Sequence, residues 1–314
     1  MNLRPLSLST LRTVPIAERD KHCEERDFAA PYWGGGTLSD FLCSLPNLGV
    51  AGDLFHLRDA MITAHKNQRS VILGCGGHVI DAGLSPLIVS LIEQRIITGI
   101  AMTGAALLQD VEIAFMGHTV AYCDQDLTLG SFGVTEETGK LINDAMNFGA
   151  IEDLGIGKSV GQYLMDAELK HIDHSVVATA YRCGIPLTVH PAIGADMFNL
   201  HPLAHGESLG ATAMYDFRLL AGMMAESSHG VLLNVGSSVV MPRVFLQAVD
   251  AARNLGKTVE KLTTAVIHPS AGSAAVEDIV QRLTQQGGQG FWLRGADEIL
   301  IPLLFAAVLD ALKG

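Results

Sequence analysis

The sequence predicts an α/β protein in which a parallel β-sheet carries helices on both faces. Short, continuously apolar segments recur along the chain, and each is followed by a turn of small residues and then by an amphipathic stretch. Strands that are apolar along their whole length are typical of parallel sheets buried on both sides. The chain is 48% hydrophobic and 17% charged, so it can bury a large core.

The alternation of strands and helices can be followed in order along the chain. The predicted strands are residues 71–73, 97–102, 187–189, 231–234 and 262–267. The predicted helices are residues 54–67, 79–93, 107–115, 241–254 and 298–312. Residues 121–161 are polar and interrupted by glycines, which predicts a helical insertion over the sheet.

The sequence pattern divides the chain into two regions, an arm and a body. Residues 1–50 contain four prolines and a charged run, which indicates an extended N-terminal arm with one short helix. Residues 51–314 form the body. No linker with a shift in composition interrupts the body, so we expect one domain there.

Charge and cysteine content exclude several classes of function. The 33 acidic and 21 basic residues give a formal net charge of −12, which argues against binding to nucleic acid or to an anionic membrane. The sequence contains no run of about 18 apolar residues, which is the length that predicts a membrane span. Five cysteines, an odd number without a CxxC pair, indicate free thiols in a reducing cytoplasm.

Glycine-containing turns follow three of the predicted strands. They are residues 74–77, which include Gly76 and Gly77, and the turns at Gly104 and Gly236. In an open parallel sheet, ligands bind beyond the carboxyl ends of the strands, where glycine lets backbone approach a phosphate. The GxGxxG fingerprint is absent, so spacing alone supports a cofactor site and ligand-free tight turns about equally.

Histidines supply the candidate catalytic groups. His190 ends an apolar strand and is our first candidate for a general base, and His78 is the second. A further group (His171, His174, His190, His201 and His205) suggests a metal site as an alternative. No metal-binding signature organises these residues, so hydrogen-bonded turn histidines are the favoured interpretation, and we predict no metal ligands.

Four collinear segments resemble the deoxyhypusine synthases. The first is VILGCGGHVIDAGLSPLIVSLIEQRIITGIAMTGAALLQDVEIAF at residues 71–115, with an apolar strand, a small-residue turn and a second turn that ends in an acidic pair in the family. The others are CGIPLTVHPAIGADMFNLH, GVLLNVGSSVVMPRVFLQAVDAARNLG and GADEILIPLLFAAVLDAL. Together they span roughly residues 50–312, and their common order makes the resemblance specific.

The resemblance implies a Rossmann-like, NAD-binding fold and a homotetramer with active sites between paired subunits. It also implies that Asp110, which remains from the family's acidic pair, is a catalytic candidate. The cofactor contacts that it implies are His78, Thr103, Gly104, Ala105, Asp196, Gly236, Ser237, Ala296 and Asp297.

The chain departs from this family in its chemistry. The family transfers an aminobutyl group through an imine on a lysine, which precedes the closing Ala-Asp pair. The corresponding segment here, VEDIVQRLTQQGGQGFWLRGADE, has Trp292 but only Arg282 and Arg294 as cations. Arginine stays protonated and cannot attack as a neutral amine. Of the carboxylates that would hold a polyamine, only Glu277 and Asp278 remain.

Three hypotheses for function follow. The first is an NAD-dependent enzyme, a transferase or oxidoreductase, that has lost the lysine relay and acts on a small amine or related metabolite. In that hypothesis the chain is not a true deoxyhypusine synthase. The second is a non-catalytic nucleotide-binding or regulatory homologue, and the third is a metal-dependent hydrolase that uses the histidines.

Overall fold

The computed structural model describes residues 4–121, 124–130, 133, 135–270 and 273–313. Its sheet has six strands, all parallel, in the order β3-β2-β1-β4-β5-β6. The strands are β1 Val71–Cys75, β2 Gly99–Thr103, β3 Leu187–His190, β4 Val231–Val235, β5 Thr263–Ile267 and β6 Gln289–Leu293. This order is that of the Rossmann fold, so the predicted fold class is confirmed.

Helices connect the strands and cover the sheet. They are α1 Leu38–Ser44, α2 Gly49–Lys66, α3 Gly77–Asp81, α4 Ser85–Glu93, α5 Gly104–Met116, α6 Asp124–Leu129, α7 Glu136–Ile151, α8 Ile156–Asp166, α9 Val176–Cys183, α10 Gly206–Ala225, α11 Val240–Asn254, α12 Ser273–Ala275 and α13 Asp297–Lys313. A π-helix, Val276–Arg282, follows α12, and single turns of 3₁₀-helix occur in the loops.

Alternate side chains of the strands enter two separate hydrophobic cores. Leu73 and Leu233 pack in a core with helices that include α2, α5 and α13. Ile72 and Leu232 point to the opposite face and pack with α10, α11 and the π-helix. Successive side chains of each strand point to opposite faces of the sheet, which produces this division. Helices cover both faces, as predicted.

The structure differs from the prediction at one helix and at one strand. The helix expected over residues 79–93 is two helices, α3 and α4, because Gly83 adopts a left-handed backbone (φ 76°) and Pro86 lies in the first turn of α4. The edge strand β6 was not predicted. Its residues are partly exposed, and its glycine and glutamine interrupt the apolar pattern that marks the inner strands.

The arm and the insertion are helical only in part. Residues 4–37 contain two single turns of 3₁₀-helix and are almost wholly exposed, and α1 follows them. Within residues 121–161, α7 and α8 pack on each other and against α10. They lie beside β3 at the end of the sheet, so the predicted insertion covers the β3 edge. Among the described helices, none combines the length and hydropathy needed to cross a membrane.

Candidate functional site

The carboxyl ends of the strands form one edge of the sheet, which we call the carboxyl edge. β1 lies between β2 and β4, so the connections leave the sheet in opposite directions at this point. Ligands of open α/β sheets bind at such a switch point. The turns with Gly76 and Gly236 meet there, and a β-carbon on Gly76 would lie 1.9 Å from the Gly236 carbonyl oxygen. Glycine is therefore required by close backbone contact at the centre of the edge.

Asp297 is a buried carboxylate that follows β6, in the part of the carboxyl edge formed by β1, β4, β5 and β6. Neither of its oxygens has a hydrogen-bond partner among the described residues. His78 is a neighbour of this carboxylate, and its Nε2 lies 4.0 Å from Asp297 Oδ2. Burial raises the pKa of Asp297, and His268 and His78 oppose that rise. A buried acceptor without a donor is costly, so this carboxylate has the character of a ligand-binding group.

His268 completes what we call the Asp297 cluster: His78, His268 and Asp297. It is the first residue after β5, and its ring centroid lies 6.1 Å from that of His78. The Ser270 backbone N–H donates to His268 Nδ1 at 3.1 Å, so a neutral His268 carries its proton on Nε2. The sequence analysis did not select His268. Its position directly after an apolar strand is the same signal that selected His190.

The Asp196 carboxylate lies against the N-terminus of α5, where a phosphate site was expected. A β-carbon on Gly104 would lie 2.1 Å from Asp196 Oδ2, and the Ala192 N–H donates to the same oxygen at 2.6 Å. Burial raises the pKa of Asp196, while hydrogen bonds from the Ala192 and Ala105 N–H groups oppose the rise. Because a carboxylate of the chain occupies this helix N-terminus, a pyrophosphate there would meet like charge.

Thr103 and Ser237, both predicted cofactor contacts, act as helix caps. The Thr103 hydroxyl accepts from the Ala106 N–H at 3.2 Å at the start of α5. The Ser237 hydroxyl accepts from the Met241 N–H at 3.2 Å in the first turn of α11. In each case the hydroxyl proton can still be donated to a ligand.

A cavity of about 180 Å³ lies beside the first half of α5, at the part of the edge formed by β1, β2 and β3. Asp81, Gln109, Glu112 and Asp196 contribute its polar lining, and we call it the acidic cavity. The Gln109 amide donates to Asp81 Oδ2 at 2.6 Å, and Glu112 Oε2 accepts from the Val120 N–H. The three carboxylates among the described lining residues favour a positively charged ligand group.

His190 is the last residue of the edge strand β3, next to Thr103 in the sheet register. Its side chain is buried, and its Nε2 is 3.0 Å from the Thr188 hydroxyl. Burial lowers the pKa of His190 to about 4, so the imidazole is neutral near pH 7. A pKa this low makes His190 a weak base.

Asp110, a predicted catalytic residue, has a structural role in this fold. Its carboxylate accepts hydrogen bonds from the Ser175 hydroxyl and from the N–H groups of Val176 and Val177, at the start of α9. Burial raises the pKa of Asp110 to about 6 despite these bonds. Because its acceptor oxygens are used, Asp110 is better explained as the cap of α9 than as a catalytic acid.

The segment that holds the family's lysine contains arginines that already have partners. Arg282 pairs with Glu277 and Asp278, and Arg243 reaches Asp278 Oδ2 at 3.3 Å. The Arg294 guanidinium lies 5.5 Å from the centre of the Trp292 ring. The carboxylates expected to hold a polyamine are thus neutralised within the chain.

The histidines proposed as metal ligands do not converge. His171 precedes a 3₁₀ turn that ends at His174, and its ring lies against Gly117, whereas His201 lies against Gly139. Within the described ranges, no group of three or more His, Cys, Asp or Glu side chains is arranged to hold a metal ion. The geometry therefore gives the metal-dependent alternative no support.

Comparison with known proteins finds a partial similarity in sequence and a broader similarity in fold. No protein-family model matches it. It is 24% identical over 208 residues to "Probable deoxyhypusine synthase 2" of Methanosarcina mazei, a match that covers 60% of this chain and 59% of that relative. The matched stretch thus spans less than two thirds of the curated relative.

Two solved structures share the fold. One is described as a "putative deoxyhypusine synthase" from Entamoeba histolytica, with a TM-score of 0.53 and 12% identity, over 90% of this chain and 96% of that one. The other is AgrE in a ternary complex with ornithine and NAD⁺, with a TM-score of 0.56 and 15% identity, over 83% of this chain and 33% of that one. The chain is thus similar in sequence, over part of its length, to a probable deoxyhypusine synthase, and it shares its α/β fold with these two solved structures.

Proposed function

We propose that this protein binds NAD at its carboxyl edge and is an NAD-dependent enzyme acting on a small amine or related metabolite. The observation that carries the proposal is the buried Asp297 carboxylate, whose two oxygens lack donors among the described residues. The ribose hydroxyls of a dinucleotide are donors of the kind that an acidic residue accepts in this fold class. Bound NAD would supply a hydride acceptor.

The cofactor would be held mainly at the β1–β4–β5–β6 part of the edge. There, Asp297 accepts ribose hydroxyls, Ala296 precedes it at the start of α13, and the Gly76 and Gly236 turns present backbone. AgrE, which shares the fold, is described in complex with NAD⁺. The residues fit the group at Asp297 but not at the start of α5, where Asp196 disfavours a phosphate. Thr103, Gly104 and Ala105 suit only uncharged or cationic parts of a ligand.

The acidic cavity supports an amine as the second ligand. An ammonium group placed among Asp81, Glu112 and Asp196 would be favoured by their charge, although burial of the carboxylates offsets part of that gain. The ornithine in the AgrE complex is an amine of this kind. At the carboxyl edge, the His78 side chain is 55% exposed, so it can reach a bound ligand and act as its proton acceptor.

The segment around Trp292 contains arginines and no lysine, which favours a reaction other than lysine-dependent transfer. Lys257 and Lys261 precede β5, and Lys313 is the last residue of α13. All three therefore lie toward the edge of the sheet opposite the carboxyl edge. A reaction that needs a neutral amine nucleophile from the protein therefore has no support here. Removal of a hydride from a substrate amine needs only the cofactor and a proton acceptor.

A fluorescence titration with NAD and NADH tests this function, with Asp297→Asn as the variant. We expect saturable binding by the natural protein and at least tenfold weaker binding by the variant, because a charge-assisted hydrogen bond contributes about 1.5–3 kcal/mol. The variant should be at least as resistant to unfolding as the natural protein, since an amide avoids a buried, unpaired charge. If Asp297 had a purely structural role, Asp297→Asn would instead lower the free energy of unfolding.

Asp250→Asn, an exposed substitution in α11 with the same change of charge, is the control and should leave NAD binding unchanged. Turnover is then measured with NAD and a panel of amines and amino acids. Absence of NAD binding would contradict the proposal. Binding without turnover would favour the non-catalytic homologue instead.

We also propose that the protein is a homotetramer. Apolar side chains around the carboxyl edge are exposed in the single chain, among them Ile193 (80%), Val239 (77%) and Ile299 (64%). An exposed apolar rim at a ligand site is typical of a surface that another subunit covers. Sedimentation at micromolar concentration should give the mass of four chains, and a monomer would contradict this proposal.

A further inference from the structure

A second cavity, of about 370 Å³, lies at the opposite edge of the sheet, where the strands begin. Its lining residues are Thr63, Asn67, Arg69, His229 and Lys261. We call it the amino-edge cavity. It shares no residue with the Asp297 cluster or with the acidic cavity.

The three basic residues of this cavity hold equivalent positions in the fold. Arg69, His229 and Lys261 each stand two positions before the first residue of their strands, β1, β4 and β5. These strands are neighbours, and their first residues are paired in the register. Adjacent strands are about 4.8 Å apart, so the fold brings three cationic or titratable side chains into one row.

This row is poorly neutralised within the chain. Neither Arg69 nor Lys261 forms an ion pair with a residue that the structure describes. The nearest acid to His229 is Glu260, with Oε1 4.0 Å from His229 Nε2. Like charges side by side in a sheet repel each other. Arg69 and Lys261 are solvent-exposed, so in a chain with a net charge of −12 they remain available to an anionic ligand.

The backbone around the cavity is also unusual. Gln68, His229 and Lys261 are non-glycine residues with left-handed backbones, at φ values of 53°, 62° and 52°. This conformation costs roughly 1 kcal/mol or more for each such residue. The turns that adopt it deliver the His229 and Lys261 side chains to the cavity.

Two features of the surroundings oppose an anion. The cavity adjoins the C-terminal end of α2, whose free carbonyl groups carry partial negative charge. Glu260 adds a carboxylate beside His229. The last turn of α2 contains His65 and Lys66, which offset the helix end, so the two fixed charges of Arg69 and Lys261 dominate.

We propose that the amino-edge cavity binds the phosphate group of a small phosphomonoester. A phosphate dianion matches the two fixed charges, and the guanidinium of Arg69 can donate two parallel hydrogen bonds to phosphate oxygens. The hydroxyl of Thr63 and the amide of Asn67 are further donors in the lining. The volume exceeds that of one phosphate, which leaves room for the organic part of the ester. This site is independent of the proposed NAD site.

Calorimetric titration of the purified protein with glycerol 3-phosphate, inorganic phosphate and succinate tests the assignment. We expect saturable binding of glycerol 3-phosphate, weakened at least tenfold by Arg69→Gln and by Lys261→Gln. Lys257→Gln removes a nearby exposed charge outside the cavity and should have no effect. Asp297→Asn should also leave this binding unchanged, which separates the site from the NAD site.

Each other outcome would overturn the proposal or part of it. No saturable binding, or equal weakening by Lys257→Gln, would mean that the row is not a site. Inorganic phosphate binding as tightly as the ester would assign the cavity to free phosphate, and equally tight binding of succinate would remove the preference for phosphate. Circular dichroism of each variant verifies that it is folded.

Discussion

Replacing Asp216 with alanine is expected to lower the free energy of unfolding by about 3–5 kcal/mol. Asp216 lies in α10, and its Oδ2 accepts hydrogen bonds from the Val189 N–H at 2.8 Å and the Gly157 N–H at 3.1 Å. One carboxylate thus joins α10 to β3 and to the N-terminus of α8. Alanine would leave these buried donors unsatisfied and open a void.

Chemical denaturation of Asp216→Ala beside Asp166→Ala checks this expectation. Asp166 is exposed near the end of α8, so its replacement removes the same group without removing buried hydrogen bonds. We expect Asp166→Ala to change stability by less than about 0.5 kcal/mol. Equal stability of the two variants would show that Asp216 does not join these elements.

The carboxyl group of Asp216 is also expected to make the free energy of unfolding depend on pH. Burial raises the pKa of Asp216 to about 7 from an ordinary value of 3.8, although backbone N–H groups oppose the rise. Between these values the folded chain holds a proton that the unfolded chain has released, so the free energy of unfolding falls as pH rises from about 4 to about 7. Asp216→Asn should make this slope shallower, as measured by denaturation at a series of pH values.

Gly76→Ala is expected to cost about 2–4 kcal/mol of stability and to abolish NAD binding. A β-carbon at this position would stand 1.9 Å from the carbonyl oxygen and 2.4 Å from the carbonyl carbon of Gly236. Both atoms belong to backbone, so neither can move without separating the turns that follow β1 and β4. These turns form the centre of the carboxyl edge.

Gly222→Ala is the matched control for this substitution. Gly222 lies in α10 with open space where a β-carbon would be placed. Alanine there should raise stability by about 0.5–1 kcal/mol and leave NAD binding unchanged. Normal NAD binding by Gly76→Ala would contradict a site at the junction of the two turns.

The sequence was sufficient for the parallel sheet and for the edge at which the turns gather. Continuous apolar runs mark the inner strands because both of their faces are buried. The edge strand β6 lacks that mark, since its outer side is not covered by another strand, and Trp292 and Phe291 are only partly buried. The apolar pattern therefore marks the strands that are buried, including the edge strand β3, and misses β6, whose residues are mostly only partly buried.

The roles of individual carboxylates could not be read from the sequence. Asp110, Asp196 and Asp216 each accept a backbone N–H group near the start of a helix to which they do not belong. Asp297 is as buried as Asp110 and Asp216 but has no such donor among the described residues. Only tertiary structure separates capping carboxylates from the one left available for a ligand.

The position of NAD in a crystal of this protein soaked with the cofactor is the decisive test of the proposed cofactor site. We expect difference density at the carboxyl edge, with a ribose hydroxyl within hydrogen-bonding distance of Asp297 and the dinucleotide beside the Gly76 and Gly236 turns. Dinucleotide density at the amino-edge cavity instead, or an empty carboxyl edge at a saturating concentration of NAD, would contradict it.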